Sequence, residues 1–184
     1  MIYAFLEHSP VFDDSNFIAP SADVIGNVSL GSETSIWFNC TVRGDVNWIR
    51  IGDRSNVQDN TCVHVTNRTH PTLIGNQVTI GHSATIHGCT IRDRVLIGIQ
   101  AVVLDGAVVE SDCIIAAGSL VPPGKTMPSG WMCMGSPCKP VRKLTDDEIA
   151  SIIRYSDNYV AYSRAYQRKD AYPANPWMSP QPTP

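Results

Sequence analysis

Aliphatic residues fall on every sixth position, at Ile18, Val24, Leu30, Ile36 and Val42, and after a slip through Trp48 they return at Ile51, Val57 and Val63. A polar stretch, TNRTHPT, interrupts the count. It resumes at Ile74, Ile80 and Ile86, slips by one residue, and continues at Ile91, Ile97, Val103, Val109, Ile115 and Val121. A period of six matches neither the 3.6 of a helix nor the alternation of a plain strand; it suits short strands joined by tight corners, each turning one aliphatic side chain inward. The residue two places before each aliphatic is small or β-branched, as at Thr34, Cys40, Ser55, Thr61, Ala84, Cys89 and Cys113, because a corner admits only small side chains. The pattern predicts a parallel β-helix, with Cys40, Cys89 and Cys113 as small buried hydrophobes rather than catalytic thiols.

Past Val121 the pattern stops in PPGKTMPSGWMCMGSPCKPVRKL, where prolines and glycines predict an irregular crossing segment that closes the β-helix domain at 1–143. Thr145 and Glu148 have capping-box spacing, and acids fill the expected first turn, so a helix is predicted over 144–168. Its stripe of Ile149, Ile152, Ile153, Tyr159 and Val160 predicts packing along the coil or a neighbouring subunit. The segment 169–184 carries five prolines from Pro173 onward and is expected to be extended.

Composition agrees with an all-β body: Ile and Val occur 17 times each against 7 Leu, and charged residues make up 17% of the 184 residues. A net charge of -3 without a Lys/Arg cluster argues against nucleic acid or an anionic membrane as partner. The N-terminus lacks a basic region followed by an apolar core, and no run approaches about 18 apolar residues, so a cytoplasmic protein is expected. Six cysteines are too sparse for a disulfide scaffold, which fits a reducing compartment.

The hexads, with glycine after the aliphatic at Gly31, Gly52, Gly75, Gly81 and Gly98, resemble the left-handed parallel β-helix of the hexapeptide-repeat superfamily. That resemblance implies a triangular prism in which three hexads make one coil, and it supplies the handedness. With this ruler, His64 follows Val63 and His87 follows Ile86; if the polar loop adds five residues, the two histidines stack one coil apart, about 4.8 Å at the backbone. His82 follows Ile80 by two residues, on the preceding face near a corner. Three prisms around a threefold axis would bring the His82 face of one copy to the His64/His87 face of the next, so the spacing suggests a homotrimer with interfacial metal sites. Three imidazoles without a thiolate suit an open zinc site, although such a set also accepts Fe2+ or Co2+. His8 and His70 are read as solvated.

Val42-Arg43-Gly44-Asp45, Ile51-Gly52-Asp53, Asn56-Val57-Gln58-Asp59-Asn60, His64, Gly81-His82 and His87-Gly88 resemble the gamma-class carbonic anhydrases over roughly residues 10–165. The resemblance implies His64, His82 and His87 as metal ligands, with His82 lent by the adjacent subunit. It implies that Gln58 bonds the metal-bound solvent, that Asn56 supports the same pocket, and that Arg43, Asp45 and Asp59 make charged contacts across the trimer interface. The implied activity is hydration of carbon dioxide to bicarbonate by a metal-bound hydroxide. Structural readings stand beside these, corner hydrogen bonding for Asn56 and Gln58 and a purely interfacial role for Arg43 and Asp45. The best-known family members carry glutamates at the positions of Val46 and Asn67, which leaves His70, Tyr159 and Tyr162 as candidate proton carriers. Two other readings remain open: a CoA-dependent acyltransferase or acyl-CoA thioesterase using one histidine as base, and a metal-binding assembly protein without turnover.

Overall fold

Fifteen of the sixteen aliphatics named above that follow Ile18 are at most 2% exposed, and Leu30 is 8% exposed; Ile18, in the first coil, is half-buried. Each fully buried side chain of this size contributes about 1.5–3 kcal/mol relative to exposure, so the stack of inward residues is the main cohesive term. The structure, a computed structural model, describes residues 1–167. The predicted extended segment 169–184 lies outside the described residues.

The first face of the prism is an eight-stranded sheet. Phe17–Ile18, Ser35–Ile36, Asn56–Val57, Thr79–Ile80, Val95–Ile97, Cys113–Ile115 and Trp131–Met134 run parallel in it, one strand per coil. The other two faces merge into one eleven-stranded sheet because Asp23–Leu30 and Thr41–Ile51 bend across a corner without a break. Gly26 sits at that bend with φ +74°, and a Cβ there would lie 2.5 Å from the Gly44 carbonyl oxygen.

The predicted interruptions have clear structural forms. Gly26 pairs with Gly44 and Val28 with Ile49, so Asn27 alone stands opposite the four residues Asp45–Trp48, which bulge outward. The polar loop forms a small turn closed by an antiparallel bridge between Thr66 and His70. The one-residue slip after Ile86 falls at Gly88, with φ +54°. The small residues before the aliphatics are buried as expected, while residues such as Arg54, Gln77 and Arg94 adopt left-handed φ values of 56°, 53° and 53°. Stacked amides hold those corners: Arg54 N donates to Ser32 O, Gln77 N to Asp53 O and Arg94 N to Asn76 O, at 2.8–2.9 Å.

Regular pairing extends beyond Val121, where the hydrophobic pattern predicts an irregular segment. Thr126–Met127 and Trp131–Met134 complete the last coil, and Lys139–Lys143 returns antiparallel to the latter. Pro122, Pro123 and Pro128 lie between strands, where a missing amide does not break a ladder. The inward positions there are Met127 and Cys133, 3% and 0% exposed, which an aliphatic count misses.

The helix, Asp146–Gln167, starts at the predicted capping box: Thr145 N donates to Glu148 Oε2 at 2.9 Å, and Glu148 N donates to Thr145 Oγ1 at 3.2 Å. It lies along its own chain's first face, from the last coil, where Leu144 N donates to Gly130 O, to the first, where Gln167 Nε2 donates to Asn16 O. Besides Ile152 and Val160 it buries Ser156 and Ser163, and Ser156 Oγ donates to Arg54 O at 2.7 Å. Tyr159 packs edge-on against Trp37 with centroids 5.1 Å apart. Among the described residues no helix is long and apolar enough to cross a membrane.

Candidate metal centre

Val63 and Ile86 are fully buried, so the residues after them turn outward on the second face. Their strands, Cys62–His64 and Thr85–His87, pair with His87 opposite His64, as the count of hexads requires. His64 Nδ1 and His87 Nε2 face each other at 3.1 Å. The other nitrogen of each ring meets a carboxylate: His64 Nε2 is 3.0 Å from Asp45 Oδ1, and His87 Nδ1 is 2.7 Å from Asp105 Oδ1. An ionised carboxylate only accepts, so each neutral ring places its N–H there. Two lone pairs then face one another, an arrangement that a cation between them relieves. Two nitrogens on a tetrahedral zinc ion stand about 3.3 Å apart, close to the spacing seen here.

Asp45 reaches His64 because the bulge carries it outward. It also forms an ion pair with Arg43. Burial favours its neutral acid, but hydrogen bonds from His64 and Arg43 and the guanidinium charge outweigh that effect and hold the carboxyl below its ordinary range. Asp105 is held low in the same sense: burial opposes ionisation, but the hydrogen bonds from His87 and then Thr66 to the carboxylate outweigh it. Thr66 Oγ1 donates to Asp105 Oδ2 at 2.9 Å.

His82 lies at the corner after Thr79–Ile80, two-fifths exposed, with Nδ1 2.9 Å from Asp59 Oδ2. That contact leaves Nε2 as its acceptor nitrogen. Among the described residues, no group of three His, Cys, Asp or Glu side chains of one chain is arranged to hold a metal ion. One chain thus pairs two of the three predicted rings, and the third stands at another edge. The donor set fits a divalent metal: three neutral imidazoles, each oriented by its own aspartate, is an outer-shell pattern that metal-binding histidines require.

Gln58 and Asn56 belong to the coil beside His82, where Gln58 N donates to Ile80 O at 3.0 Å. Gln58 Nε2 donates to Asn56 Oδ1 at 3.2 Å, and Asn56 Nδ2 to Thr79 Oγ1 at 2.9 Å. Both side chains are buried, and the described structure gives Gln58 Oε1 no bond. Within one chain Arg43 pairs with Asp45 and Asp59 with His82. Val46 projects from the bulge at 40% exposure, and its carbonyl accepts from Arg68 N at 3.4 Å, so bulge and polar loop lean on each other beside Asn67.

His70 is half-buried rather than solvated, lying over Gly88 and Gly106. Tyr159 is on the helix near Asp59; burial, then the nearby charges of Asp59 and Tyr162, push its phenol up to about 12, so it retains its proton near neutrality. Burial pushes the Cys40 thiol up to about 11 and Cys89 to about 12, in keeping with corner fillers. Asp105 and Thr66 are the partners that sequence reasoning missed. Asp105 lies 18 residues after His87, one more than the 17 that separate the paired Ile86 and Val103, because the slip at Gly88 shortens this coil; the hexad count alone therefore falls one residue short of it.

The profile of the bacterial transferase hexapeptide family (six repeats) matches residues 88–123, which defines the class: a hexapeptide-repeat β-helix. Gamma carbonic anhydrase 1, mitochondrial, of Arabidopsis thaliana is 46% identical over 174 residues, covering 92% of this chain and 63% of that relative. The chain therefore spans just under two thirds of that protein. A carbonic anhydrase of Geobacillus kaustophilus is 41% identical over 167 residues, covering 91% of each. Among solved structures, a hexapeptide transferase family protein from Anaplasma phagocytophilum has a TM-score of 0.87 at 40% identity, covering 90% of this chain and 98% of that one. The chain belongs to the gamma carbonic anhydrase family of hexapeptide-repeat proteins.

Proposed function

We propose that this protein is a metal-dependent carbonic anhydrase whose sites form between the subunits of a homotrimer. The observation that carries the reading is the facing pair His64 Nδ1 and His87 Nε2, 3.1 Å apart with their outer nitrogens on Asp45 and Asp105. His82, oriented by Asp59 on a different edge, is the third ligand, lent by the adjacent copy. Zinc, ferrous iron and cobalt all suit three imidazoles. Such an ion, when bound, lowers the pKa of its water toward 7 and supplies the hydroxide that adds to the carbon of CO2.

The reaction converts CO2 and water to bicarbonate and one proton. Gln58, its amide nitrogen engaged by Asn56, presents Oε1 as an acceptor that orients the attacking oxygen without neutralising it. Asp45 and Arg43 keep His64 in the tautomer whose Nδ1 is free. The proton must leave without glutamates at positions 46 and 67, and proton transfer between side chains and solvent is the step most exposed to that difference.

Metal analysis of the purified protein, combined with light scattering, is expected to give a trimer holding about one divalent ion per chain. His82→Ala is expected to lose the ion, with stopped-flow CO2 hydration falling to background. A metal-free protein that turns over acyl-CoA would overturn this reading in favour of transferase or thioesterase chemistry. A metal-loaded trimer inactive with zinc, cobalt and anaerobically loaded ferrous iron would leave a binding or assembly role.

A further inference from the structure

The hydrogen bonds around His87 extend into the next coil and the polar loop. Asp105 begins the turn one coil above and reaches back, its Oδ1 2.7 Å from His87 Nδ1. Its second oxygen accepts from Thr66 Oγ1 at 2.9 Å. Both carboxylate oxygens are thereby engaged, one by the ring and one by the loop. Space for this reach comes from Gly88: a Cβ there would stand 2.2 Å from Asp105 Oδ1 and 2.8 Å from His70 Cβ. The missing side chain after His87 is therefore what lets a carboxylate from the coil above lie against the ring.

We propose that Asp105 is the positioning residue of His87, held in place by Thr66, so that the 66–70 loop is mechanically part of the metal site. This rests on the reading of His87 as a ligand. Asp105 does not touch the metal or the substrate. It directs the N–H of His87 to Nδ1, leaves Nε2 as the donor facing His64, and limits rotation of the ring. Loss of such an outer-shell partner typically weakens metal binding about 10–100-fold.

The test is zinc affinity measured by chelator competition on the full-length trimer, with the visible spectrum of the cobalt-loaded protein as a second readout. Asp105→Ala is expected to weaken zinc binding about 10–100-fold and to alter the cobalt bands, since the ring is no longer held. Thr66→Val, which leaves the carboxylate but frees one oxygen, is expected to weaken it about threefold, the scale of one hydrogen bond. Asp93→Asn is the control. Asp93 Oδ1 accepts from Asn76 N at 2.7 Å on another edge, a structural corner contact of similar kind, and its substitution is expected to leave affinity unchanged.

A folded Asp105→Ala trimer with wild-type affinity and cobalt spectrum would overturn the proposal. If that variant does not fold, unchanged affinity in Thr66→Val does the same. A wild-type trimer that retains no zinc would instead remove the metal-site reading itself, an outcome distinct from either variant result.

Discussion

The coils from Thr90 to Val121 and those from Gly44 to Gly88 share one repeat and differ in what interrupts it. In the upper stretch Ile91, Ile97, Val103, Val109, Ile115 and Val121 stack without exposure, and outward charges pair between neighbouring corners, as Arg94 does with Asp112 at 2.6 Å. In the lower stretch a bulge throws Asp45 outward and a loop brings Thr66 and His70 over the second face. All three histidines of the candidate site lie in the lower stretch. Regular coils provide spacing, whereas the insertions provide the side chains that leave the prism and turn toward the rings. Asp105 joins the two regions, a residue of the regular stretch acting on a ring of the interrupted one.

Substitutions should therefore separate the regions by what they damage. The largest effect is expected for His87→Ala: hydration falls to the uncatalysed background and bound metal is lost, while the folded fraction by circular dichroism stays as in the wild type. A variant retaining both metal and activity would remove His87 from the site. Ile97→Ala, in the regular stretch, should do the reverse. Deleting most of a fully buried Ile side chain costs about 2–5 kcal/mol, read by urea unfolding, with metal content per folded chain unchanged. Metal loss without a drop in stability would break the comparison.

How much of this was legible depends on whether a feature obeys the period. The inward aliphatics, the small corners and the His64–His87 register all follow from counting, since a solenoid turns sequence distance into position. The last coil escaped because Met127 and Cys133 fill aliphatic positions and prolines occupy the corners around them. The approach of Asp45 to His64 depends on the depth of the bulge, a local backbone property that side-chain pattern does not encode. His70 reads as solvated from its proline-flanked loop, and only the fold reveals Gly88 and Gly106 beneath it. Ser156 breaks the helix stripe because close approach to the Arg54 carbonyl favours a small hydroxyl over a larger apolar group, and the buried Ser163 turns its hydroxyl back onto Val160 O of its own helix.

Gln58 tests the comparison at smaller scale. It is buried in the lower stretch and, among the described residues, its side chain bonds only Asn56. If its carbonyl orients the attacking oxygen, Gln58→Ala should lower kcat about 10–100-fold with metal content and unfolding midpoint near wild type. If it is corner packing alone, stability falls and kcat per folded, metal-loaded site does not.

The smallest effect is expected at the start of the helix, beside the regular coils and away from the rings. Thr145→Ala removes an N-cap and should cost about 1 kcal/mol. Glu148 adds a pH signature. The hydrogen bonds from Arg142 and then from Thr145 N pull its carboxyl from an ordinary 4.5 down to about 2. A carboxylate depressed on folding stabilises the folded state fully above its unfolded pKa and loses that contribution as pH falls through the folded value. The stability difference between wild type and Glu148→Gln should thus be flat above about pH 4.5 and shrink steadily toward pH 2. Hydrogen exchange should place the change in the first helical turn, because Arg54 with Asp157 and Arg164 with Glu33 anchor the remainder to lower corners. Zinc affinity should stay constant in both variants; a parallel loss would mean that the helix transmits strain from the last coil to the metal centre.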